Sequence, residues 1–256
     1  MINLLDYPLL VFPLAFLALW LSARIGSFSF LKRHRNLAED VHEDFGVILT
    51  AALTLLGLII GFSFSMAIGR YEQRKNYEEE EANAIGTEYI RADLLPAADA
   101  ARVRALLRNY LDQRILFYET RDEQQLRQIN ANTAQLQSEL WSAVQAPAAA
   151  QPTCVVSLAI SGMNDVLNSH GYTQAAWWNR IPFAAWGLMA AIAICCNLLV
   201  GYGARHAEGE GILMLVIPLV VSIAFFLIAD IDSPRGGVIL VQPQNLVSVA
   251  QSLHAH

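Results

Sequence analysis

Charge is scarce in this sequence. Of its 256 residues only 16% are Asp, Glu, Lys or Arg, where an ordinary soluble domain carries about a quarter. That shortage, alongside 55% hydrophobic residues, excludes a wholly soluble protein. Cysteine is scarcer still. Cys154, Cys195 and Cys196 form an odd set with two adjacent inside an apolar run, which excludes a disulfide framework and offers no metal-ligand spacing. No glycine-rich phosphate cradle opens a helix after a strand, and no Ser or His sits in a nucleophile-elbow or triad-like setting. No enzyme activity, cofactor or resident metal is therefore expected. The net charge of −6 lacks the basic footprint of a nucleic-acid-binding protein, so no nucleic-acid partner is expected either.

The charges that are present cluster. Residues 70–180 hold 11 basic and 14 acidic side chains, which is 25 of the 40 in the chain. Outside that island four stretches carry no Asp, Glu, Lys or Arg: Tyr7–Ala23, Phe45–Gly69, Ile181–Ala204 and Gly211–Ala229. A membrane-crossing helix needs about 20 mostly apolar residues, and a charge at its centre costs about 2.5–3.5 kcal/mol. The pattern predicts an all-α, polytopic membrane protein with four transmembrane helices. Met1–Asp6 contain no Lys or Arg, so the first stretch lacks the basic leader of a signal peptide and is expected to stay as a span. Residues 1–69 would hold spans one and two, 70–180 an extramembrane helical domain, 181–232 spans three and four, and 233–256 a tail. Gly236–Leu253 is uncharged but carries Gln242, Pro243, Gln244 and Asn245, and is expected to be re-entrant, interfacial or packed.

The extramembrane domain is expected to be built on an extended second helix. No proline interrupts Arg70–Leu95, so one helix can run from Phe45 to about Leu95, where Pro96 ends it. At 1.5 Å per residue such a rod is roughly 75 Å long. A second helix carries Val103, Leu106, Leu107, Tyr110, Leu111 and Phe117 at helical spacing, with Arg102, Arg104, Arg108 and Arg114 among them. A third carries Leu126, Ile129, Thr133, Leu136, Leu140 and Val144. Ala146–Pro152 is expected to be a linker, and Thr153–Asn168 a fourth helix ending before Gly171. Trp177, Trp178 and Arg180 would mark the membrane interface at the third span.

The second span carries the most informative pattern. Gly57, Gly61, Ser65 and Gly69 recur every four residues, a stripe that lets helix backbones approach closely in lipid. Beside it runs a second row, Thr50, Thr54, Leu58, Phe62 and Met66. Both rows are consistent with helix packing. The larger one is equally consistent with the lining of a pore formed by several copies, in which rings of Leu and Phe gate by dewetting. Spacing does not choose between them.

Other candidates carry less. Glu72, Glu78–Glu81 and Glu88 could form an acidic ring at the mouth of an oligomer, but four consecutive residues cannot share one face, so a solvated face with Glu88 and Arg91 paired at i,i+3 is the better reading for most of the run. His34 and His42, flanking Glu39, Asp40, Glu43 and Asp44, read as a hydrated loop rather than a metal site. Arg70, Arg74, Lys75, Arg180 and Arg235 on one side balance Arg24, Lys32, Arg33, Arg35 and Arg205 on the other, so charge alone leaves the orientation open.

The run Leu58–Lys75 (LIIGFSFSMAIGRYEQRK) resembles the second transmembrane helix of bestrophin channels. Phe62 corresponds to a phenylalanine of their pore neck, and Leu58 to the neck position one turn earlier. Arg70–Arg74 (RYEQR) is similar to the Arg- and aromatic-rich exit of that helix. Glu80–Pro96 (EEANAIGTEYIRADLLP) and Asp230–Leu240 (DIDSPRGGVIL) resemble recurring stretches of bacterial bestrophin-like integral membrane proteins. The resemblance implies a homo-oligomer, with a pentamer as the family's number, in lipid of the bacterial cytoplasmic (inner) membrane. It also implies a cytoplasmic island and small inorganic ions as the partners. It makes Thr54, Leu58, Phe62 and Met66 pore-lining and Gly57, Gly61, Ser65 and Gly69 helix-packing residues. Arg70, Arg74, Glu80, Glu81, Asn83, Arg91, Asp230 and Asp232 become a structural network. The acidic calcium-binding run of animal bestrophins and the proline of their neck have no counterpart, so neither calcium gating nor ion selectivity carries over.

Two functions follow from different classes. One is an oligomeric ion channel with a Leu/Phe neck on the second span. The other is a non-conducting scaffold or sensor whose helical domain binds a protein partner. A transporter is disfavoured because the spans hold no charged residue with which to handle a coupling ion.

Overall fold

The computed structural model of the chain describes residues 6–31, 39–203 and 210–254. Among them every regular element is helical: α1 Pro8–Leu31, α2 Glu39–Arg91, a 3-10 turn Ala92–Leu94, α3 Ala97–Glu119, α4 Glu123–Ala150, α5 Cys154–Trp178, α6 Phe183–Gly203, α7 Glu210–Asp232 and α8 Gln244–His254. The side chains proposed as a hydrated acidic and histidine loop between the first two spans lie outside the described residues.

Four helical stretches are long and apolar enough to cross a membrane: Pro8–Phe28, Phe45–Leu94, Cys154–Gly203 and Met214–Asp232. The third is two helices, α5 and α6, separated at Asn179–Pro182, and its charge-free part is α6. The four apolar blocks of the sequence thus fall in α1, α2, α6 and α7. The expected long second helix is present as α2, 53 residues without a break. Its end follows from Pro96. The residue before a proline is pushed out of the helical region, and Leu95 is extended at φ −92°, ψ 161°.

By contacts the chain divides into two units, Met1–Arg70 with Arg180–Leu240, and Tyr71–Asn179 with Val241–His256. In the first unit α1 packs on α6 and α7. The α1–α6 crossing depends on glycine. A Cβ on Gly201 would lie 1.8 Å from the Ala23 carbonyl oxygen, and one on Gly26 2.1 Å from that of Leu198. Phe45 of α2 packs on Tyr202 of α6, and the Cys196 thiol donates to the Ala52 carbonyl at 3.3 Å.

In the second unit α3 packs on α4, α4 on α5, and α8 on α3. Its core includes Ala82, Ile85, Val103, Leu107, Leu140, Met163, Val166 and Leu246. The Asp122 carboxylate caps α4 by accepting from the Gln124 and Gln125 amides, and Thr153 Oγ1 caps α5 by accepting from Val156 N at 3.2 Å.

Three expectations for this region need correction. Ala146–Pro152 is no linker, because α4 runs on through Pro147 to Ala150. The alanines around that buried proline favour helix, and Gln151 N donates to Pro147 O at 2.9 Å. Gly171 does not stop the next helix, since α5 continues to Trp178. Its last turns are held by tertiary contacts: Thr173 Oγ1 donates to Glu81, and Trp177 packs edge-on to Phe117 and Tyr118 with ring centroids 4.9 and 5.4 Å away. Trp177 is therefore a core residue of the helical domain rather than an interfacial anchor, whereas Trp178 is exposed.

Candidate functional site

The face of α2 that packs within the first unit is defined by Leu56, Ser63 and Ala67, all buried. Thr54, Leu58, Phe62 and Met66 lie off that face and are exposed, Phe62 at 65%. The hydroxyls of Thr50 and Thr54 donate back to the carbonyls of Gly46 and Thr50, each at 2.8 Å, so these polar groups are satisfied inside the helix. Gly57, Gly61, Ser65 and Gly69 are exposed as well. A Cβ added to Gly57, Gly61 or Gly69 would meet nothing within 4 Å. Among the described residues nothing therefore packs against the three glycines of the stripe. Two glycines that do bring helix backbones together, Gly26 and Gly201, carry no four-residue repeat, and Gly201, expected in a short turn between spans, lies within α6.

Where the first unit's part of α2 ends, Arg70 donates to Asp232 Oδ1 at 3.4 Å. Asp232 is buried. It accepts the Ile181 amide on both oxygens, at 3.1 and 3.2 Å, and lies 3.5 Å from Arg180 Nε. Arg180 also pairs with Asp6. Two residues earlier, Asp230 accepts the Val238 and Ile239 amides at 2.7 and 2.8 Å, folding the chain back after α7. These acids thus satisfy backbone donors and arginines of their own unit.

In the second unit α2 buries a charged stripe at helical spacing, Arg74, Glu78, Glu81 and Glu88, interleaved with Ala82 and Ile85 and continued by Ala92 of the 3-10 turn. The solvated-face expectation holds for Glu79 and Glu80, which are exposed, and fails for Glu78, Glu81 and Glu88. Glu78 accepts the Asn245 and Leu246 amides, both at 2.9 Å, and Asn245 Nδ2 at 2.7 Å, which caps α8. Glu81 takes Arg114 Nε at 2.5 Å, Arg114 Nη2 at 3.3 Å and Thr173 Oγ1 at 3.2 Å. Burial disfavours the Arg114 charge, but Glu81 and Tyr110 more than offset this and leave its pKa raised. Desolvation and the nearby Arg114 together lower the His170 pKa to about 4. Arg114 sits in register with Val103, Leu107, Tyr110 and Phe117 on the buried face of α3, and that register was the available sequence signal for it. Arg91 does not pair with Glu88; it reaches Asp165 of α5 at 3.9 Å. Asn83 is exposed and helps line a groove of about 570 Å³ with Gly86, Ile90, Arg104 and Val249. Among the described residues no group of three His, Cys, Asp or Glu could hold a metal ion.

The arrangement centres on α2. It offers a long helix with an unpartnered apolar and small-residue face, braced by buried ion pairs. The sequence profile of the Bestrophin-like domain matches residues 10–246. Among solved structures, a point variant of a bacterial bestrophin homologue from Klebsiella pneumoniae superposes with TM-score 0.68 at 13% identity, covering 95% of this chain and 98% of that one. A second point variant of the homologue gives TM-score 0.68 at 14% identity over 95% and 94%. The homologue's zinc-phased structure gives TM-score 0.66 at 14% identity over 94% and 97%. At such identities the likeness shows the fold alone. No curated relative matches the sequence. An all-helical membrane protein of bestrophin-type channel fold, matched by that profile over nearly its whole length, belongs to the bestrophin-like family.

Proposed function

We propose that this chain is one subunit of a bestrophin-like ion channel, a homo-oligomer of the bacterial inner membrane with one α2 per subunit around the pore. The observation that carries the reading is the bare face of α2. Gly57, Gly61 and Gly69 expose backbone with no neighbour among the described residues, next to a row led by exposed Leu58 and Phe62. A small-residue stripe in lipid is an efficient seat for another helix. Seating a second copy there places α2 at the subunit boundary and turns the adjacent row inward. Leu58 and Phe62 then form apolar rings that gate by dewetting, with Thr54 and Met66 on either side. Exposed Glu72, Glu79 and Glu80 follow on the same helix and bias the local potential toward cations. The family number, five, is the proposed stoichiometry.

The test is ion flux from liposomes carrying the purified protein, together with the mass of the detergent-solubilised particle. The reading expects a pentamer that releases trapped ions. A well-formed oligomer that holds every ion gradient would instead favour a non-conducting scaffold whose helical domain binds a partner.

A further inference from the structure

Glu88, in the buried stripe, is a residue whose burial and chemistry disagree. Its side chain is 0% exposed, and neither carboxylate oxygen has a hydrogen-bond partner among the described residues. It lies on Gly162 of α5 so closely that a Cβ there would sit 2.0 Å from Glu88 Oε2. That same Cβ would lie 2.6 Å from Arg91 Nη1. Glu88 and Arg91 thus share one glycine seat, yet Arg91 is committed across the contact to Asp165. The charged groups acting on Glu88 are Arg91 from its own helix and Asp165 from α5. A carboxylate buried without a donor or a paired cation is among the costliest arrangements in a protein, whereas a neutral carboxylic acid is tolerated there.

We propose that Glu88 is a proton-binding switch in the helical domain: its neutral acid lets α5 close on α2 across Gly162, and loss of the proton breaks that contact. Desolvation is the largest cause acting on the group, opposed by Arg91 and reinforced by Asp165, and it raises the carboxyl pKa from 4.5 to about 8. The sign follows from linkage. The closed state holds a proton that the opened state has already released, so the stability of the contact is complete below about 4.5 and declines with rising pH until about 8. Asp165, 62% exposed and 3.9 Å from Arg91, competes with Glu88 for that cation. Because α2 is also the helix assigned to the pore, opening this contact would alter the helix that carries the neck. That consequence alone rests on the channel reading; the switch itself does not.

Hydrogen exchange of the full-length protein in nanodiscs, corrected for intrinsic amide rates, tests the switch without any measurement of conduction. Protection of α5 around 158–166 should weaken from pH 6 to pH 8 by up to about tenfold per unit and then level off. Glu88→Gln should abolish that dependence and keep the segment protected throughout, and Gly162→Ala should leave it weakly protected at every pH. Asp165→Asn, a surface change, should move the levelling-off point to lower pH by freeing Arg91 for Glu88. A flat wild-type profile, an equal pH dependence in Glu88→Gln, or an unmoved levelling-off point in Asp165→Asn would overturn the proposal.

Discussion

Arg114 of α3 donates to both carboxylate oxygens of Glu81 on α2, and solvent reaches neither side chain. Removing one member strands the other charge in the core, which typically costs about 3–5 kcal/mol. Glu81→Ala and Arg114→Ala should each lower the unfolding midpoint of the purified protein sharply. The pair Glu81→Leu with Arg114→Met should recover much of that loss, because it leaves no orphaned charge. Thermal unfolding of the nanodisc-embedded variants reads this directly.

Asp232 should be more sensitive than its arginine partners. Asp232→Ala removes the side-chain partner of the buried Ile181 amide, the contact to Arg70 and one of the partners of Arg180. An unsatisfied buried donor costs about 1–3 kcal/mol. Arg70→Ala removes one 3.4 Å contact made by a partly exposed side chain and leaves Asp232 its Ile181 and Arg180 partners. Limited proteolysis of the segment after α7 should therefore accelerate strongly in the first variant and little in the second.

Much of the architecture was legible in the sequence because its strongest signals are long and additive. Four charge-free stretches define the apolar helices, and the absence of proline between Arg70 and Leu95 together with Pro96 sets the end of α2. What sequence hid were departures that tertiary contacts decide. Pro147 and Gly171 read locally as breaks, but one is buried in α4 and the other precedes turns anchored by Thr173 and Trp177. The acidic run reads as a solvated face until its phase is followed. Positions 74, 78, 81, 85, 88 and 92 trace one stripe shared with Ile85 and Ala92, and that stripe faces the core. The burial of a carboxylate is invisible to composition, because it depends on a partner such as Arg114 that lies 33 residues away.

Glycines in this protein should fall into two groups by their effect. Gly201→Val would drive side-chain atoms into the Ala23 carbonyl and prevent α1 from packing on α6, so the chain should fail to accumulate in the membrane. The Cβ that Gly57→Val or Gly61→Val adds meets no described atom within 4 Å. They should leave each subunit folded and disrupt the association of copies. Light scattering of the solubilised variants, with circular dichroism as the folding control, separates the two outcomes.

The seat of α8 should depend on one carboxylate. Glu78 accepts three hydrogen bonds from the first residues of that helix. Glu78→Ala should cost about 1–3 kcal/mol locally. Hydrogen exchange over 244–254 should rise by roughly tenfold, the factor that corresponds to about 1.4 kcal/mol, while α3 and α4 keep their protection.

The central claim is that α2 lines an ion pathway with Phe62 at its neck, and single-channel recording in planar bilayers tests it most directly. Wild-type oligomers should conduct, and Phe62→Ala, which removes the largest exposed ring from that row, should show a clearly larger unitary conductance with the same oligomeric mass. Conducting oligomers whose unitary conductance is identical in wild type and Phe62→Ala would contradict the assignment of the neck, and oligomers of verified mass that never conduct would contradict the channel itself.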